Sequence, residues 1–256
     1  MSLVEYDEFG LFHENAAEYG LPYDGPPDVR RIGVEVAPGR RLSALQWHQA
    51  EPDLVLIHSG SQNAHTWDTV AMALIRPLVA VDLPGHGHSD GPGNGPTGDL
   101  DVEANAADVA VAIRQLAPQA AAVVGMSLAG LTAIALTGQA PELVRKLVLV
   151  DVLPGLKSSR ARHITDFTSG PPNFANLDQL LERTLRFNPS RSVSSLRRGN
   201  GGMARAHAKN RHELAGGGAM AQCKGDRKLS RVGRILSPRN ATTASEKASL
   251  RSPAIM

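Results

Sequence analysis

Short apolar runs recur through the first 155 residues, each closed by small or polar residues. "DLVLIHSG" (53–60), "PLVAVD" (77–82), "AAVVGM" (121–126) and "VRKLVLVDVLPG" (144–155) are continuously apolar through their middles. That is the pattern of strands buried on both faces. Between them, "AHTWDTVAMAL" (64–74), "VEANAADVAVAIRQLAP" (102–118) and "LAGLTAIALTGQAP" (128–141) carry helical spacing, the last stopped by Gly and Pro. Buried strands alternating with helices predict βαβ units and a parallel sheet covered on both faces. Ahead of them, "RIGVEVA" (31–37) and "RLSALQWH" (41–48) flank "PGR", a hairpin signal. Residues 1–29 are polar, end in "GPPD" and read as a loosely attached lead-in.

The alternation ends near Gly155. "LERTLRF" (181–187) predicts one helix in a mostly polar stretch, and beyond residue 199 neither period 2 nor period 3.6 is sustained. "RVGRIL" (231–236) is the best strand candidate there, and a poor one. The chain therefore divides into a lead-in (1–29), an α/β core (30–155), a polar segment (156–199) and a tail (200–256). Charge sharpens the last boundary. The tail carries 11 Lys and Arg against 3 Asp and Glu and has no aromatic residue, whereas residues 1–199 carry 16 against 22.

Composition narrows the functional classes. A chain of 256 residues that is 42% apolar can build one sizeable core. The single Cys223 excludes an intrachain disulfide framework and fits a reducing compartment. The acidic first residues lack the basic and apolar regions of a signal peptide, and no apolar run approaches the ~20 residues that span a bilayer. The expectation is a cytoplasmic protein without membrane contact. No HExxH, paired CxxC or P-loop is present, so no metal or cofactor is expected.

The candidate chemistry lies in "VVGMSLAG" (123–130). Ser127 stands between small residues where a strand should turn into a helix. Such a turn exposes the hydroxyl, small residues at ±2 avoid clashes, and the following helix offers N–H groups to a reacting carbonyl. The same letters also suit an ordinary serine early in a buried helix, because small-x-Ser-x-small occurs by chance. Two neighbours decide between these readings. "LIHSG" ends one strand in a loop of small residues that can aim an N–H at an oxyanion, and "VDLPGHGHSDGP" ends the next in a Gly-rich turn.

In combination and order, these segments resemble the α/β-hydrolase family, closest to its bacterial cofactor-free esterase, lactonase and haloperoxidase-like branch, over roughly residues 30–199. The resemblance implies an α/β-hydrolase core of mostly parallel strands flanked by helices, with the start of a helical lid in 156–199 and its last strands missing. It implies Ser127 as nucleophile, with the Leu128 N–H and the Gly60 N–H (or that of Ser61) stabilising the oxyanion. A serine at this position argues against haloalkane dehalogenases and epoxide hydrolases, which carry Asp there. Ser59 replaces the Gly that usually follows the histidine of the first loop.

A serine needs a histidine to take its proton and a carboxylate to orient that histidine, and in this family both follow the serine. Asp151, ending "KLVLVD", is the acid candidate, the alternative being a carboxylate packed on the turn "VLPG". Asp226 follows no strand. His58, His65, His86 and His88 precede the serine, and the positions of His58 and His86 shape their loops in the family. His163 falls in the lid-like segment. His207 and His212 remain, in a tail without a recognisable strand.

The expected function is hydrolysis of an ester, lactone or related small carbonyl substrate through an acyl-serine, impaired by loss of the C-terminal histidine loop. The alternative is an inactive hydrolase scaffold serving as an interaction protein. The tail itself has three readings: out-of-frame translation of a GC-rich gene, a basic arm for acidic partners, or a divergent folded end. Its lack of aromatic residues disfavours nucleic acid. On the first two readings the sheet ends on an exposed edge.

Overall fold

Six strands form one mixed sheet in the computed structural model, which describes residues 7–91, 101–152, 177–187, 189 and 192–196. They are β1 (Val29–Ala37), β2 (Arg40–Trp47), β3 (Leu54–Ile57), β4 (Leu78–Val81), β5 (Ala122–Met126) and β6 (Leu147–Val150). Their spatial order is β1-β2-β4-β3-β5-β6. The helices are α1 (Phe12–Tyr19), α2 (Asp68–Leu74), α3 (Val102–Leu116), α4 (Leu128–Gln139) and α5 (Leu177–Phe187), and a 3₁₀ turn, Ala64–Trp67, leads into α2. β1 and β2 form the expected hairpin, closed through Gly39 at φ 70, and β2 lies antiparallel to β4. The remaining pairs, β4–β3, β3–β5 and β5–β6, are parallel.

The apolar runs are continuous because the central strands bury both faces. Val55, Ile57, Val79, Val81 and Val123 point to one side, where they pack with α3 and α4. Leu56, Leu78 and Ala80 point to the other, against Phe12, Trp67 and Ala71 of α1, the 3₁₀ turn and α2. Asp101 starts α3 by accepting a hydrogen bond from the Ala104 N–H, as an N-cap should.

Two expectations fail. The lead-in is not loose: α1 drives Phe12 edge-on against Trp47, ring centroids 5.3 Å apart, and Glu8 enters a partly buried ion cluster. The fourth apolar run is not buried either. β6 is the last strand of the described sheet, and Val148, Leu149 and Val150 are 45%, 42% and 36% exposed. Its sequence reads as a central strand, but a strand is buried only where a neighbour covers it. Residues 153–176, most of the lid-like segment, and the whole tail lie outside the described residues, with His163, His207, His212 and Asp226.

Candidate active site

The carboxyl ends of β3, β4, β5 and β6 lie side by side, because these strands run parallel in register. Ser127 follows β5 directly and caps α4 with φ 50 and ψ −113. This conformation is unfavourable for a residue with a Cβ and costs about 1–3 kcal/mol. The surrounding residues enforce it. The Ser127 N–H donates to the Val150 carbonyl at 2.9 Å, continuing the β5–β6 ladder, while its own carbonyl accepts from the N–H groups of Gly130 and Leu131 to begin the helix. A Cβ on Gly125 would lie 2.5 Å from the Ala129 carbonyl oxygen, so the close return of helix onto strand requires glycine there. Ala129 is fully buried and fits the opposite arm.

The loop after β3 reaches the same place. A Cβ on Gly60 would stand 3.4 Å from Leu128 Cδ2, so the Gly60 backbone passes beside the first residue of α4. Leu128 belongs to the first turn of α4, where N–H groups have no acceptor within the helix. Ser61 is different: its N–H donates to His86 Nε2 at 3.2 Å. Of the two sequence candidates for a second donor, Ser61 is therefore already engaged. Gly60 keeps the role open beside Leu128.

His58 and His86 lock the two loops together. The Leu83 N–H donates to His58 Nε2 at 3.0 Å, and His58 Nδ1 pairs with the Ser59 carbonyl at 2.7 Å. His86 uses Nε2 for Ser61 and Nδ1 for the Pro84 carbonyl at 2.9 Å. Each ring accepts through Nε2 and donates through Nδ1, which requires neutral imidazole. Burial, with the nearby His86, lowers His58 to about 4. Their rings stand 5.2 Å apart. Both histidines shape their loops, and their nitrogens are occupied.

Asp151 follows the pair Met126–Val150, which places it next to Ser127 across the β5–β6 ladder. It is exposed and adopts φ 52. The two residues thus come to one sheet end, while no side chain among the described residues hydrogen-bonds the Ser127 hydroxyl.

Sequence reasoning missed the ion cluster beneath the β3 loop. Glu8 Oε1 accepts from Arg31 Nε at 2.6 Å and pairs with His65 Nε2 at 3.0 Å. Arg31 reaches on to Asp82 Oδ2 at 2.8 Å, and His65 Nδ1 meets Asp68 Oδ2 at 2.8 Å. Burial opposes charge on His65, but Asp68 and Glu8 outweigh it and raise the imidazole to about 10. Burial likewise opposes ionisation of Glu8, and its bonds to His65 and Arg31 win, holding it at about 2. No local motif announces this cluster. The only textual hint is that arginine and glutamate occur in a segment that otherwise reads as a loose lead-in and hairpin.

Comparison with known proteins agrees with this fold. A model described as "Alpha/beta hydrolase family" matches residues 54–251, beginning at β3 and running into the basic tail. Esterase Rv0045c of Mycobacterium tuberculosis is 43% identical over 204 residues, covering 77% of this chain and 65% of the relative. A crystal structure of that esterase superposes with a TM-score of 0.64 at 43% identity, covering 77% and 66% of the two chains. A pimeloyl-[acyl-carrier protein] methyl ester esterase of Pectobacterium carotovorum is 34% identical over 119 residues, covering 44% of this chain and 43% of the relative. The chain thus spans about two thirds of the length of the first of these relatives.

Proposed function

Because the chain belongs to the alpha/beta hydrolase family, we propose that it hydrolyses a small carboxylic ester through an acyl-enzyme on Ser127. The observation that carries this reading is the strained backbone of Ser127 between β5 and α4, with the Gly60 backbone beside Leu128. The hydroxyl attacks the ester carbonyl. The oxyanion so formed is held by the Leu128 and Gly60 N–H groups, the alkoxide leaves with a proton, and water then releases the acid. Likeness to two proteins named as esterases supports ester over lactone as substrate class.

Asp151 is the orienting acid in this proposal, supported by its place beside Ser127 at the ends of paired strands. The base is a histidine outside the described residues, and the family match running to residue 251 directs the search to His207 and His212. A fluorophosphonate probe tests the reading directly. Wild-type protein should label at Ser127, and Ser127→Ala should abolish labelling and lower kcat on a p-nitrophenyl ester by about 10⁴-fold or more. A folded wild type that neither labels nor turns over would instead make this an inactive scaffold.

A further inference from the structure

We infer that Glu8 and Arg31 are positioning residues for the oxyanion loop, acting through Asp82. The inference rests on the proposed role of the Gly60 N–H. The connection is continuous and partly buried, with Asp82 at its inner end. Asp82 is fully buried at the end of β4, and its Oδ1 accepts the Ala64 N–H at 2.7 Å, fixing the far end of the loop that begins at Gly60. Its Oδ2 accepts the His88 N–H at 3.1 Å, fixing the loop that carries His86. His86 in turn holds Ser61, the residue after Gly60. One carboxylate therefore holds the oxyanion loop twice, directly at Ala64 and indirectly at Ser61.

Burying a carboxylate is costly, and pairing it with a cation offsets that cost and fixes its aim. Arg31 is the cation on Asp82, bonded to Oδ2 and to the Ser43 hydroxyl, and Glu8 grips the other side of the guanidinium. Glu8 also binds His65, which lies one residue beyond Ala64. The same loop is thus braced on two consecutive residues by one ion chain that starts in the N-terminal segment. Gly87 completes the enclosure: at φ +53, a Cβ there would fall 2.4 Å from the Asp82 carboxylate. None of these groups is placed at the Ser127 hydroxyl. Their effect is on where the Gly60 N–H stands, and an error of about 1 Å in such a donor can cost about 100-fold.

The test uses the full chain with Arg31→Met, Arg31→Lys and Glu8→Gln, and Arg114→Ala as a control that breaks an exposed ion pair with Glu142. With a p-nitrophenyl ester, Arg31→Met should lower kcat about 10- to 100-fold while KM stays within about twofold. Arg31→Lys should recover part of the loss, and Glu8→Gln should fall between Arg31→Met and wild type. Amide hydrogen exchange should quicken in peptides covering residues 58–66 and stay unchanged in α3. If Arg31→Met does not fold, Glu8→Gln and Arg31→Lys decide by the same readouts. Unchanged kcat with unchanged exchange in residues 58–66 overturns the inference. So does a loss that tracks only the fraction of folded protein. A wild type that the fluorophosphonate leaves unlabelled overturns the function of Ser127, and the exchange arm then decides the bracing alone: faster exchange supports it, unchanged exchange overturns it.

Discussion

His58 and His65 lie close in sequence and are both buried, yet their protonation is held in opposite states. His58 is neutral because the Leu83 N–H needs an acceptor at Nε2, and His65 is charged because Asp68 and Glu8 flank it. The consequences for stability have opposite signs. Unfolded chain protonates His58 near 6.5, folded chain only near 4, so its contribution is present above 6.5 and lost as pH falls from there to about 4. For His65 the folded value is raised to about 10, so its contribution is complete below 6.5 and lost as pH rises through 10. Thermal melts across this range should show both limbs. His58→Leu should flatten the acid limb and cost about 1–3 kcal/mol at neutral pH through the orphaned Leu83 N–H. His65→Gln should flatten the alkaline limb and leave the acid one in place.

The elements were legible wherever their signal is local. Leu54–Ile57, Leu78–Val81 and Ala122–Met126 read as buried strands because each is a short, continuously apolar run, and each has a paired strand on both sides. The turn at Ser127 was legible for the same reason, since Gly125, Ala129 and the helix start all fall within a few residues. Gly125→Ala tests that turn: its methyl would meet the Ala129 carbonyl at 2.5 Å, backbone against backbone. It should push Ser127 out of place, reducing fluorophosphonate labelling about 100-fold while the rest of the sheet stays folded. What was not legible depends on distance. Arg31 meets Asp82 across 51 residues and Glu8 across 23, and nothing in either window marks them as partners. α1 was missed because a short polar helix reveals its one buried face only when Trp47 is beside it. β6 was misjudged in the other direction, since its apolar letters cannot say whether a further strand lies alongside.

For the whole molecule, the exposure of β6, the last strand of the described sheet, matters most. Val148, Leu149 and Val150 present apolar side chains along the last described strand, the kind of edge that invites association with other chains. Light scattering at rising protein concentration should report growing particles at neutral pH, and Leu149→Lys should suppress them while lowering the free energy of unfolding by no more than about 1 kcal/mol. The opposite side of the fold is closed by its first described residues. Glu8 and His65 are 57 residues apart, so a ribosome adding about 5–20 residues per second releases the carboxylate seconds before the imidazole exists. The Glu8 carboxylate is therefore made before either of its partners, and it stays hydrated until Arg31 and His65 have followed.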